Sequence, residues 1–326
     1  MLFKYIHDPM LYQGRKKGNH YFEGWFFKQV TPDEKTTICI IPGISKDEKN
    51  SHAFIQTIIH RKMNSGISYE THYHRFPTKD LQYTEEPFCL KIGRNIFKKE
   101  GLELHLKDEH YSLTGLLYFL RFTPIKINLL YPNIMGYFAY LPFMECYHGV
   151  ISMNHQLKGK LVLNKETISF NLGKGYIEKD WGTSFPKEYI WLQSNHFSHS
   201  DASIMLSIAH IPFLGTSFQG MICNLTFHGF EYRFATYNHS KVVKLERNEE
   251  NLNIIITKRD LKLQIKAKMH DGGLLKAPKF GNMNHVIKEG LNGILKIKLT
   301  KSDEILFQGV SKSCGIEMVD FNQYRR

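Results

Sequence analysis

The chain predicts an all-β protein made of antiparallel barrels or sandwiches, on three observations. Apolar residues recur with period two along most of its 326 residues, and helical periodicity is scarce. Aromatic residues reach 13%, mostly Phe and Tyr, which pack well on a pleated surface. Clusters of Asn, Asp and Gly, such as "RNEENLN" and "MHDGG", break the alternating runs at short intervals. With 42% hydrophobic and 23% charged residues the chain can bury a large core and is not a disordered sequence.

From the N-terminus, "MLFKYIHDPM" lacks the long apolar run of a secretory signal. "NHYFEGWFFK" (Asn19–Lys28) reads as a strand with Tyr21, Glu23, Trp25 and Phe27 on one face. A carboxylate among rings is unfavourable if buried unpaired. Glu23 is therefore paired, exposed or held for a purpose, and the sequence favours a Lys- or Arg-paired structural role. "ISYETHYHRF" (Ile67–Phe76) alternates again and sets His72 and His74 on one face. Their spacing suits a metal, but no third ligand is near, and no metal site is expected. "LELHLKD" sets Leu102, Leu104 and Leu106 against Glu103, His105 and Lys107. "LLYFLRFTPIKINLLYP" is interrupted by Arg121, Pro124 and Lys126, so it is no transmembrane helix. "FTPIKINLLYPNIMGYFAYLPF" carries three prolines and no clean alternation, which marks a junction between domains 1–145 and 146–326. A Leu-x-Gly pattern in "SLTGLLYF", "QLKGKLVL" and "GLNGILKI" also favours two similar β-domains, although glycine in strands often marks bulges.

Two later blocks carry most of the chemistry. In "LPFMECYHGVISMNH" (Leu141–His155), Glu145, Cys146, Tyr147 and His148 sit together. Cys146 and His148 share a strand face, a pattern that suits thiol nucleophiles, but a buried thiol beside a hydrogen-bonded imidazole is the favoured account. "GYIEKDWGTSFPKEYIWLQSNHF" (Gly175–Phe197) holds two of the three tryptophans. Extended, it places Glu178 and Asp180 on one face, and Tyr189, Trp191, Gln193, Asn195 and Phe197 on another. Amides alternating with rings suit the wall of a ligand cavity, where buried amides need partners. A polar ladder between barrel strands is the plain alternative. "EILFQGV" and the runs before it, such as "LKLQIKAKM", complete the strand series.

Net charge is +12, from 43 Lys and Arg against 31 Asp and Glu. Nucleic acid, an anionic membrane surface and an acidic ligand all fit such a charge. The lysines alternate with Leu and Ile in "ITKRDLKLQIKAKMH", as on the solvated side of a half-buried strand, and no nucleic-acid motif accompanies them. No nucleic-acid partner is expected; peripheral contact with a membrane surface remains as a use of the charge. The five cysteines, at 39, 89, 146, 223 and 314, form no C-x-x-C pair and point to reduced thiols in the cytoplasm. Gly-rich phosphate loops, G-x-S-x-G and H-E-x-x-H are absent.

"YFEGWFFK", "PFMECYHGVISMNHQLKG" and "GYIEKDWGTSFPKEYIWLQSNHF" together resemble the tocopherol cyclase family, in the same order. "LKAPKFGNMNHVIKEGLNGILKIKL" and "GVSKSCGIEMVD" are similar to its C-terminal blocks, so the resemblance spans nearly the whole chain. It implies two lipocalin-like β-barrel domains of the calycin type and a cofactor-free cyclase that closes a chromanol ring on a prenylated quinol. That chemistry needs an acid for the alkene, rings around the resulting cation, and polar groups to orient the attacking phenol. Asp180 is the first candidate acid and Glu178 the second, with Glu145 and His148 behind them; the favoured plain alternative for Asp180 is an ionised carboxylate salt-bridged to a lysine or arginine that stabilises the barrel. Glu23, Trp25, Tyr147, Trp181, Trp191, Gln193 and Asn195 are the candidate ligand-binding residues. The tryptophans and amides among them are expected around one cavity near the junction. The competing expectation is a carrier of a hydrophobic small molecule, which needs the walls and no acid.

Overall fold

The computed structural model describes residues 2–64, 66–142, 144–198, 201–213 and 215–319. Its elements are almost all strands, as the period-two patterning requires. In chain order they are β1 (Tyr21–Val30), β2 (Thr36–Lys46), β3 (His52–Met63), β4 (Gly66–Phe76), β5 (Leu81–Glu85), β6 (Phe88–Ile92), β7 (Asn95–Lys98), β8 (Gly101–Lys107), β9 (Ser112–Phe119), β10 (Cys146–Leu163), β11 (Glu166–Ser169) and β12 (Lys174–Gly182). There follow β13 (Tyr189–Ser194), β14 (Ser203–Phe213), β15 (Thr216–Phe227), β16 (Phe230–Ala235), β17 (Lys241–Arg247), β18 (Asn251–Lys258), β19 (Leu261–Lys268), β20 (Gly273–Lys279), β21 (Asn282–Lys301) and β22 (Glu304–Val319). Among the described residues no helix is long and apolar enough to cross a membrane.

The first sheet runs β4-β3-β2-β1-β12-β10-β9-β8-β7-β6-β5, with β11 added to β10. Every pairing in it is antiparallel, and most are hairpin neighbours. The pairing most distant in sequence sets the architecture: β1 pairs with β12, matching Trp25 to Lys179 and Phe26 to Glu178. One face packs a core that includes Trp25, Phe27, Ile38, Ile55, Leu104 and Ile177. The second sheet runs β16-β15-β14-β13-β22-β21-β19-β18-β17, with β20 on β21, around a core that includes Ile190, Leu192, Leu206, Ile265 and Ile316. Two antiparallel barrel-like sheets are the lipocalin-like architecture that the sequence anticipates.

The compact units are not the consecutive halves 1–145 and 146–326. The first comprises 1–124, 145–185 and 275–286; the second comprises 125–144, 186–274 and 287–326. The chain does leave the first unit within the proline-bearing loop, but it returns at Glu145. The reason is pairing: β10 extends β9, and β12 joins β10 to β1. A cut after residue 145 would remove both from their sheet.

The repeated Leu-x-Gly pattern falls where strands bend. Gly115 and Gly159 have φ of +132° and +125°, and a Cβ on either would lie 2.5 or 2.3 Å from a backbone oxygen of the facing strand. Only glycine fits there. Gly293, in the third copy, marks a register shift between β21 and β22.

Candidate functional site

Alternation along β1, β10 and β12 sorts the family-like blocks onto two faces of the first sheet. On the core face stand Glu23, Trp25, Lys179 and Trp181. Glu23 and Lys179 form an ion pair of 2.6 Å with both side chains fully buried. Glu23 also accepts hydrogen bonds from the amides of Gln13 and Gly14, the latter at 2.8 Å, and from the Tyr21 hydroxyl at 2.6 Å. The Lys179 ammonium lies 4.7 Å from the Trp25 ring centre and 4.8 Å from that of Trp181, and it donates to the Leu11 carbonyl. Trp25 donates through Nε1 to Met10 O at 2.9 Å, and Tyr147 stacks on Trp181 at 5.6 Å. Burial lowers the pKa of Lys179, opposed by the charge of Glu23. Such a pair, fully supplied with hydrogen bonds and two aromatic faces, holds the N-terminal segment onto the sheet.

The opposite face carries Cys146, His148, Tyr176, Glu178 and Asp180. His148 and Asp180 are directly paired across β10 and β12. His148 Nδ1 lies 2.8 Å from Asp180 Oδ1, and its Nε2 lies 3.3 Å from Glu178 Oε2. The Tyr176 hydroxyl donates to the same Glu178 oxygen. Side-chain exposure rises from 5% at Glu178 through 12% at His148 to 22% at Asp180, so Asp180 is the member open to a visitor.

Burial alone would lower the pKa of His148, but the charges of Asp180 and Glu178 outweigh it and hold it well above the ordinary value. The imidazole is thus kept protonated between two carboxylates. Burial, reinforced by Glu178, pushes the Tyr176 phenol up. Burial, reinforced by Asp180, likewise pushes the Cys146 thiol up, and its Sγ donates to Asp180 Oδ1 at 3.8 Å. A thiol held neutral in this way is no nucleophile, so Cys146 and His148 do not form a thiol–imidazole catalytic pair. Glu145 precedes β10, and its backbone carbonyl accepts the Thr183 amide at 2.7 Å.

His148, Glu178 and Asp180 form a group whose candidate ligand atoms all lie within 4.8 Å of one another, the spacing of a metal site. Both imidazole nitrogens already face carboxylates, so a cation would have to displace one of these contacts.

In the second unit, Trp191 and Gln193 point away from the core built on Ile190 and Leu192. Trp191 pairs in register with Glu317, and Glu317 with Glu289. The Tyr189 hydroxyl donates to Glu317 Oε2 at 2.5 Å. Gln193 and Asn195 are buried, as is Glu289.

The sequence candidates lie on both faces of the first unit's sheet and on and just after β13 of the second unit. Trp25 and Trp181 take the core face of the first unit with Glu23. The acids take its other face, and Trp191 and Gln193 belong to the second unit. Sequence reasoning missed Tyr176, Lys179, Glu289 and Glu317 as functional candidates. Tyr176 was within reach, because it lies two residues before Glu178 and so shares its face.

A family model described as "Tocopherol cyclase-like" matches residues 129–319. The Oryza sativa subsp. japonica protein "Probable tocopherol cyclase, chloroplastic" is 20% identical over 233 residues, which are 58% of this chain and 49% of that protein. The chain thus spans about half the length of that relative. Among solved structures, CghA with Sch210972 superposes with a TM-score of 0.61 at 8% identity, covering 93% of this chain and 89% of the other. Kievitone hydratase from Nectria haematococca gives 0.53 at 10% identity, covering 96% and 94%. At these identities the structural matches establish the shared fold. The match to the family model over more than half of its residues establishes more: this chain belongs to the tocopherol cyclase-like family.

Proposed function

We infer that the chain is a cofactor-free cyclase that protonates an alkene of a hydrophobic small molecule, with a prenylated quinol as the substrate class. One observation carries this: the His148 imidazole is held between Asp180 and Glu178 on a buried sheet face, with Asp180 at its accessible edge. Membership of the tocopherol cyclase-like family supports the same chemistry.

The step balances without an outside reagent. A proton passes from the His148–Asp180 pair to the less substituted alkene carbon, leaving a tertiary cation. The quinol oxygen attacks that carbon and forms the new C–O bond. The quinol proton returns to the pair, so the product is an isomer of the substrate. Glu178, itself fixed by Tyr176, holds the imidazole in place and stabilises its charged form before the proton leaves and after it returns.

The test is turnover of a prenylated quinol in D2O, followed by mass spectrometry. A cyclic isomer carrying one solvent deuterium on carbon is the expected product. Recovery of bound but unchanged quinol makes the protein a carrier and overturns the catalytic assignment.

A further inference from the structure

We propose that the turn Asn128–Tyr131 is a docking finger for an anionic lipid bilayer. Turns facing water are ordinarily built from Gly, Asn, Asp, Ser and Pro. This one places two leucines at its tip: Leu129 is 74% exposed and Leu130 is 67% exposed, with Ile127 beside them at 48%. No other pair of adjacent large apolar residues among the described residues is so bare.

The leucines are held in place by the rest of the second unit. The Asn128 amide donates to Tyr131 O at 3.0 Å, and the Tyr131 amide donates to the Asn128 side chain at 2.8 Å, which closes the turn. The Tyr140 hydroxyl donates to Leu129 O at 2.7 Å. The Tyr131 ring packs 5.0 Å from that of Tyr237, whose hydroxyl donates to Ile134 O at 2.8 Å. Upstream, the Lys126 amide donates to the Glu231 carboxylate at 2.6 Å. An apolar tip presented on a fixed support loses little conformational entropy when it inserts.

Charge selects the occupant. Along the chain no acidic residue stands between Glu109 and Glu145, and beside the tip Lys126 and Arg233 outnumber Glu231, which Arg233 already pairs, on a chain of net charge +12. A few apolar side chains with neighbouring cations suit the interface of a bilayer bearing anionic headgroups, where apolar insertion and electrostatic attraction add. Nothing in this argument depends on the catalytic assignment.

The test is co-sedimentation of the full chain with phosphatidylcholine vesicles made with and without phosphatidylglycerol. The wild type should partition onto the anionic vesicles, and salt should weaken the binding. Leu129→Ser with Leu130→Ser should lower partitioning by about tenfold or more, the loss expected when two leucines no longer leave water. Its thermal midpoint should stay unchanged, because neither side chain is buried. Failure of the wild type to bind anionic vesicles overturns the proposal, as does equal binding by the double variant. A concentration-dependent dimer that the double variant abolishes, without vesicle binding, would assign the turn to self-association instead.

Discussion

His148 Nδ1 and Asp180 Oδ1 stand 2.8 Å apart across one rung of the β10–β12 ladder. The two residues lie 32 positions apart in the chain and come together because β10 and β12 are antiparallel neighbours. The same alternation that puts Asp180 on this face puts Lys179 on the other. One strand thus serves two purposes. Its core face holds a buried ion pair that fastens the N-terminal segment, and its other face holds a protonated imidazole between two carboxylates. The first arrangement stiffens the strand that positions the second.

On the proposed reaction, Asp180→Asn should reduce turnover of the prenylated quinol by about 10²–10⁴-fold, the usual contribution of a positioned acid–base group. Ligand affinity and the thermal midpoint should be retained, because the amide fills the same space and still accepts from His148. Steady-state kinetics beside a fluorescence binding titration separate these effects. Unchanged turnover would remove Asp180 from the reaction.

Cys146→Ser should leave turnover essentially unchanged. The thiol is held protonated, and its polar contacts, to Tyr147 O and Asp180 Oδ1, are long ones of 3.7 and 3.8 Å. Alkylation by iodoacetamide should accordingly be slow at neutral pH in the folded protein, measured by intact mass. Rapid labelling at Cys146 would contradict the burial argument.

The all-β class was legible because a strand's side-chain period is local: six or eight residues of "LKLQIKAKM" already declare it. That Glu178 and Asp180 share a face followed from the same rule, and so did the favoured pairing of Glu23 with a base. Other features were not legible, for a different reason. The identity of that base, Lys179, depends on the β1–β12 register, which sets Trp25 opposite Lys179 and is a long-range property. The proximity of Glu289 to Glu317 depends likewise on the β21–β22 register, which shifts at three places along the pair. The domain boundary was misplaced because no local signal says that a strand after a loop will rejoin the sheet it left.

Lys179→Met should destabilise the protein by about 3–5 kcal/mol, since it strands a buried carboxylate. Glu23→Gln combined with Lys179→Met should cost less than the sum of the two single changes. Urea denaturation of the four proteins gives the coupling directly. Strict additivity would mean that the pair contributes nothing specific.

Two further histidines set an acid limit on stability. His155 is buried between Phe119 and Phe122, with Nδ1 3.0 Å from Ser152 Oγ, and burial pushes its pKa down to about 3. His60 is pushed down to about 4, first by burial and then by the charge of Lys28. Unfolded, each would titrate near the ordinary value of about 6.5. Between that value and the depressed one the unfolded chain binds more protons, so stability is full above about pH 6.5 and falls as the pH drops. Each group contributes a slope of about 1.4 kcal/mol per pH unit within its window. His148 has the opposite sign: its raised pKa gives stability that is complete below about pH 6.5 and is lost as the pH climbs through the folded value. Urea midpoints measured from pH 7 down to pH 4 should therefore fall steadily in the wild type. His155→Gln should flatten that fall by about 1.4 kcal/mol per pH unit, whatever its offset at pH 7. An unaltered slope in this variant would show that His155 takes up its proton without unfolding the chain.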